Sequence, residues 1–169
     1  INITSISKGA GNAMSISNSI NNTFVNIFSN ATSPFGFVLT SNALENNIIN
    51  LTAVSGSSNG IAITNSGNNT FVNVTVISGV GSSDSGIDIN NGTGTTFYNI
   101  NISGGNEGLA IHKTSNLTIR DCYINSTTYS VDVSSTLGSS NNTLINCTYF
   151  NGITDNVAGS TNEIIRKLY

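Results

Sequence analysis

Charge is what this chain of 169 residues has least of: Asp, Glu, Lys and Arg make up 8% of it, against about 25% in ordinary domains. Five basic residues and a formal net charge of −3 leave no Lys/Arg stripe to hold a phosphate backbone, so nucleic acid is excluded as a partner. No apolar run approaches the ~18 residues of a membrane span. Trp is absent, Pro34 is the single proline and Met14 the single methionine, and nothing reads as a long helix. Disorder is excluded too, because mean hydropathy is near neutral and apolar residues are spread evenly. The chain opens at Ile1 with no leader segment, as expected of a processed protein or of a segment of a longer one.

Asparagine fills the space that charge leaves, with 29 copies. It recurs in a line best seen at Asn68–Gly79 (NNTFVNVTVISG), which returns as Asn46–Gly56, Thr95–Gly104, Asn116–Ser126 and Asn142–Gly152. Aligning these puts a polar residue at one place: Asn2, Asn26, Asn50, Asn73, Asn99, Asp121 and Asn146, at spacings of 24, 24, 23, 26, 22 and 25 residues. A period in the twenties is the signature of a solenoid. A second line, Met14/Ile16, Phe37/Leu39, Ile61/Ile63, Ile87/Ile89, Leu109/Ile111 and Val131/Val133, alternates with small or polar residues and follows Gly36, Gly60, Gly86 and Gly108 in four coils. Period-2 alternation over short runs is strand. Each coil then holds three short strands, such as Gly108–Ile111, Asn116–Arg120 and Cys122–Ile124, joined by Ser/Thr/Asn/Gly turns.

The N-x-[TI]-[FI]-x-[ND]-[VIC]-x-[IV] and G-[IL]-x-I lines resemble the right-handed parallel β-helix repeat proteins of the pectate-lyase-like superfamily, over nearly the whole chain. The expected fold is all-β: one domain over residues 1–169, a right-handed parallel β-helix of about seven coils that begins and ends mid-coil. Stacked rungs lie ~4.8 Å apart, so Phe24, Ile48, Phe71, Phe97, Ile119 and Leu144 share one inward column. Ile3, Ile27, Leu51, Val74, Ile100, Cys122 and Cys147 share the next. The recurring asparagines should form an inward ladder at the turn between second and third strands, too buried to be modified, each amide bonded to the one above and below. The resemblance implies such a ladder as well. Asp121 accepts but cannot donate, so it should weaken the ladder locally.

Cys122 and Cys147 fall one rung apart with parallel Cβ vectors, which favours two buried free thiols over a disulfide. Twelve N-x-[ST] sequons are present, and those at Asn21, Asn68, Asn101, Asn116 and Asn141 are candidates for glycosylation. Asn21, Asn68, Asn116 and Asn141 fall at one exposed turn; plain turn asparagines are the alternative.

Catalysis has few groups to draw on. Ser83–Asp88 (SDSGID) resembles the N-T-D-G-x-D line of polygalacturonase-type hydrolases, but Ser85 is inserted and no G-H-G follows. Asp88, Ala110 and Asp132 stack at one outward position, so the carboxylates would lie ~10 Å apart, near the upper limit for an inverting glycosidase pair. His112, Lys113 and Glu107 occupy the intervening coil. Asp88, His112 and Asp132 are therefore the only, weak, catalytic candidates, beside the simpler reading of solvated surface groups. Arg120 has only Asp121 beside it, which does not make a calcium-dependent lyase site. No enzyme activity, cofactor or metal is expected.

The ends suggest assembly. Written end before beginning, the termini read KLY–INITS and match NTF–VNVTV, so Ile1, Asn2, Ile3, Leu168 and Tyr169 are expected at a head-to-tail interface. The expected function is that of a structural extracellular protein polymerising into a cell-surface sheath, hoop, layer or fibre, its candidate partners being further copies of itself, stacked head to tail or packed laterally sheet to sheet, and glycans. Asparagine- and sequon-rich solenoids of this kind resemble archaeal cell-surface proteins. The alternatives are an adhesin or carbohydrate-binding module cut from a longer solenoid, with Tyr98 and Tyr123 as sugar-stacking candidates, and a polysaccharide lyase or hydrolase.

Overall fold

The structure is a computed structural model that describes residues 2–79, 81, 83–133, 139–155 and 163–166. Its strands alternate between two sets, which differ in length through the central coils. The longer set is β1 (Ile3–Ser7), β3 (Thr23–Ala31), β5 (Asn47–Ser55), β7 (Thr70–Ile77), β9 (Thr96–Ser103), β11 (Thr118–Asn125), β13 (Thr143–Tyr149) and β15 (Glu163–Arg166). The shorter set is β2 (Met14–Ser17), β4 (Phe37–Thr40), β6 (Ile61–Thr64), β8 (Ser85–Asn90), β10 (Glu107–His112), β12 (Tyr129–Val133) and β14 (Gly152–Asp155). Each set stacks in chain order into one sheet, of eight and seven strands respectively. Pairing is parallel from coil to coil, as in Phe71↔Phe97 and Ile87↔Leu109.

The second and third strands expected in each coil form one continuous strand with a bend. The bend is the recurring polar residue, whose φ is left-handed at Asn26 (56°), Asn50 (56°), Asn73 (56°), Asn99 (53°), Asp121 (58°) and Asn146 (55°). Asn and Asp enter this region more cheaply than other residues with a Cβ. One left-handed residue breaks the two-residue alternation, so side chains three apart, Phe71 and Val74, both point inward. Two more left-handed columns turn the other corners: Asn21, Glu45, Asn68, Gly94, Asn116 and Asn141, and a column through Asn18, Asn42, Asn65, Asn91 and Lys113.

Inside, the expected columns are present and dry. Ile48, Phe71, Phe97, Ile119 and Leu144 are buried in one, and Ile27, Leu51, Val74, Ile100, Cys122 and Cys147 in the next. Phe71 and Phe97 stack at 4.5 Å with 12° between their planes, and Phe37 meets Phe71 edge-on at 6.3 Å. The glycines before the short strands face the coil above: a Cβ on Gly36, Gly60, Gly86 or Gly108 would lie 2.6, 2.9, 2.5 and 2.7 Å from the next coil's carbonyl oxygen.

Two expectations are corrected here. The ladder asparagines bond as foreseen, yet Asn26, Asn50, Asn73, Asn99 and Asn146 are exposed, because the left-handed corner turns the Cβ outward while the residue after it points in. And Cys122 and Cys147 are joined by a disulfide, with Cα atoms 4.4 Å apart. The rung spacing alone brings the Cα atoms to the near edge of the disulfide range, and the sulfurs turn toward each other along the stack.

A second row of amides lies inside, one residue after a left-handed corner. Asn46 and Asn69 are fully buried. Asn69 Oδ1 accepts from the Asn46 backbone N–H (2.9 Å) and from Asn46 Nδ2 (3.1 Å), while Asn69 Nδ2 donates to the Ala43 carbonyl (2.8 Å). Asn142 repeats the device, accepting from the Leu117 N–H (3.0 Å) and donating to the Thr114 carbonyl (2.8 Å). These amides satisfy backbone groups that the corner leaves buried away from water.

Candidate functional site

Two features stand out from the uniform body. The first is the outward column on the short-strand sheet, where Ala62, Asp88, Ala110, Asp132 and Thr154 stack in register. The alternation of β8, β10 and β12 points these side chains away from the core, which reads as a solvated row. Asp132 is nevertheless only 6% exposed, and the Asp88 side chain 32%. Polar neighbours line the column. Asn59 Nδ2 donates to Asp88 Oδ2 (3.1 Å), and Asn59 Oδ1 accepts from the Ser85 N–H (2.8 Å). Ser85 Oγ donates to Glu107 Oε2 (3.2 Å), Thr154 Oγ1 donates to Asp132 Oδ1 (2.6 Å), and His112 Nε2 stands 3.9 Å from Asp88 Oδ1.

Burial holds the Asp88 carboxyl above the ordinary carboxylate range, against the opposing pull of His112 and the Asn59 hydrogen bond. Glu107 is raised by burial and then by the Asp132 charge, with Ser85 and His112 pulling the other way and Asp88 adding to the rise. Asp88, Glu107, Asp132 and His112 thus form one electrostatic unit. Ala110 keeps a gap between the two aspartates, which sit two rungs, or ~10 Å, apart. A carboxyl with a raised pKa is the kind of group that can donate a proton to a leaving group. Glu107 is the member that sequence spacing did not single out, because it lies off the Asp88/Asp132 column. Among the described residues no His, Cys, Asp and Glu side chains gather into a metal-holding group.

The second feature is the corner ladder. Asn26 Nδ2 donates to Asn2 Oδ1 (3.0 Å), Asn50 to Asn26 (2.9 Å), Asn73 to Asn50 (3.0 Å) and Asn99 to Asn73 (3.0 Å). Every amide donates toward the N-terminal coil, so the ladder is polar. Asn146 Nδ2 donates to Asp121 Oδ1, but the carboxylate has no N–H for Asn99, and the ladder divides there as expected. Asn2 is exposed at the donor end, and Ile3 lies opposite Ile27, partly buried against the core.

Ile1, Leu168 and Tyr169 lie outside the described residues. At that end of the stack β15 pairs with β13 in parallel, Ile164 opposite Leu144 in the register. The sequon asparagines Asn21, Asn68, Asn101, Asn116 and Asn141 are all exposed. Tyr98 and Tyr123 are 41% and 43% exposed but flank the ladder corner on different faces. Tyr98 is paired with Arg120, and Tyr123 meets Phe150 at 4.9 Å, so among the described residues these two tyrosines do not form a single aromatic stripe.

Parallel single-strand stacking, left-handed corners and a dry columnar core define a β-helix. Residues 36–165 match the family model described as right handed beta helix region, and the chain belongs to that family. No curated protein and no solved structure matches it.

Proposed function

We propose that this β-helix is a structural protein of an extracellular surface, extended by head-to-tail stacking of its rungs into a sheath, hoop, layer or fibre. The observation that carries the reading is the polarity of the stack. β1 and β2 stand at one edge of their sheets and β15 and β14 at the other, so one copy set on another continues the same parallel pairing. Such a contact is heterologous and propagates or closes into a ring. Head-to-head contact would instead bring strands together in opposite directions and set the donor end of one corner ladder against that of another. The Cys122–Cys147 disulfide supports an oxidising, extracellular location.

The test is sedimentation of the protein isolated from the cells that make it, beside its Asn2→Asp variant. Asp at this position still accepts from Asn26 but offers no donor to an added rung. The wild type is expected to sediment as large, concentration-dependent assemblies and the variant as shorter ones. A monomeric wild type, as when further coils of a longer chain cover both edges, overturns the proposal.

A second reading, hydrolysis of a polysaccharide, draws on the raised carboxyls of Asp88 and Glu107 beside buried Asp132. Release of reducing ends from a polysaccharide, abolished by Asp132→Asn, would favour it over a purely structural role. A carbohydrate-binding module is the remaining alternative, and it would have to bind without an aromatic stripe.

A further inference from the structure

We infer that Asn21, Asn68 and Asn116 are N-glycosylated, forming a row of glycans along one corner of the solenoid. All three begin N-x-T sequons, Asn21-Asn22-Thr23, Asn68-Asn69-Thr70 and Asn116-Leu117-Thr118. All three are exposed and left-handed (φ 57°, 55° and 57°), so their side chains project from the turn. Among the described residues their amides carry no side-chain hydrogen bond, in contrast to the corner ladder. There the sequon residues Asn50, Asn73 and Asn146 each commit Nδ2 to the neighbouring coil, as does Asn91 to Asn65. Both groups are exposed, so it is hydrogen bonding and not burial that separates them.

The spacing of the corner column supports the assignment. Its members in coil order are Asn21, Glu45, Asn68, Gly94, Asn116 and Asn141, so as far as Asn116 acceptors alternate with residues that cannot be modified. Acceptors on alternate coils lie ~10 Å apart, which gives bulky saccharides room that a single rung would not. Gly94 adds to that room: a Cβ there would run into Asn68 Oδ1. Asn141 follows Asn116 by one coil, so a glycan on one excludes a glycan on the other.

In the step itself, the Asn amide nitrogen forms a bond to the anomeric carbon of a lipid-diphosphate-linked oligosaccharide. The anomeric C–O bond to the diphosphate breaks, the lipid diphosphate leaves with the electron pair, and the displaced amide proton passes to the transferase base. The inference rests on the extracellular reading in one respect, that the chain must reach the compartment holding this donor.

The experiment is mass mapping of peptides from the protein isolated from its own cells, alkylated before digestion with a nonspecific protease. Saccharide mass is expected on Asn21, Asn68 and Asn116, absent from Asn50, Asn73 and Asn146, and lost in the triple variant Asn21→Gln/Asn68→Gln/Asn116→Gln. Bare corner asparagines with an intact Cys122–Cys147 bond overturn the glycan row and leave the extracellular reading standing. Bare asparagines with both cysteines alkylated overturn the two together. Saccharide on Asn116 and Asn141 of one molecule refutes the spacing argument.

Discussion

Replacing Asn69 by Ala separates the buried amide row from the exposed ladder. The substitution removes the acceptor of the Asn46 backbone N–H (2.9 Å) and the donor to the Ala43 carbonyl (2.8 Å). Asn46 Nδ2 keeps its bond to the Ser19 carbonyl (2.8 Å), so two backbone groups are orphaned. Each buried unsatisfied group costs about 1–3 kcal/mol, giving about 2–6 kcal/mol in all. At an m-value of about 2 kcal/mol/M, urea unfolding followed by circular dichroism should show the midpoint falling by roughly 1–3 M. The control is Asn73→Gly, which also deletes two hydrogen bonds, to Asn50 and from Asn99 (3.0 Å each). Those partners are open to water, and Gly accepts the left-handed φ of 56° without strain, so the expected loss is under about 1 kcal/mol. A loss at Asn73 equal to or larger than that at Asn69 would refute the claim that the inner amides hold the corners together.

Three further outcomes follow from the same packing. Gly86→Ala places a Cβ 2.5 Å from the Gly108 carbonyl oxygen and should cost about 1–3 kcal/mol of overpacking, read from the same urea curves. Opening the Cys122–Cys147 bond with reductant, or in the Cys122→Ala/Cys147→Ala variant, frees a 25-residue separation worth about 3.5 kcal/mol in the chain-entropy model; an unchanged melting temperature would contradict a cross-coil tie. Asp88 and Glu107 have raised pKa values in the folded chain, so the native state binds more protons than the unfolded one. Their contribution is full below the ordinary carboxylate range and is lost as pH rises through the raised values. The melting temperature should therefore fall over that window, and the Asp88→Asn/Glu107→Gln double variant should flatten the fall.

The columns were legible because stacking turns sequence period into spatial neighbours: Phe71 over Phe97 and Ile87 over Leu109 follow from aligning repeats. The ladder was legible for the same reason, down to its break at Asp121. Its exposure was not, since a residue's side of the wall depends on a left-handed φ that the alternation pattern does not encode. Asn46, Asn69 and Asn142 escaped notice because a buried asparagine next to a corner asparagine looks like more turn composition. The disulfide depended on how two side chains rotate, and the burial of Asp132 on groups from other coils, neither of which spacing reveals. For assembly, Leu168 and Tyr169 lie outside the described residues, so the stacking proposal stands on the polarity of the edges.

The most direct test of coil-on-coil stacking is electron microscopy of the isolated protein, averaged for an axial repeat. About seven rungs at ~4.8 Å per copy predict a subunit rise near ~34 Å along fibres, hoops or layers. Discrete particles with no axial repeat would contradict the account.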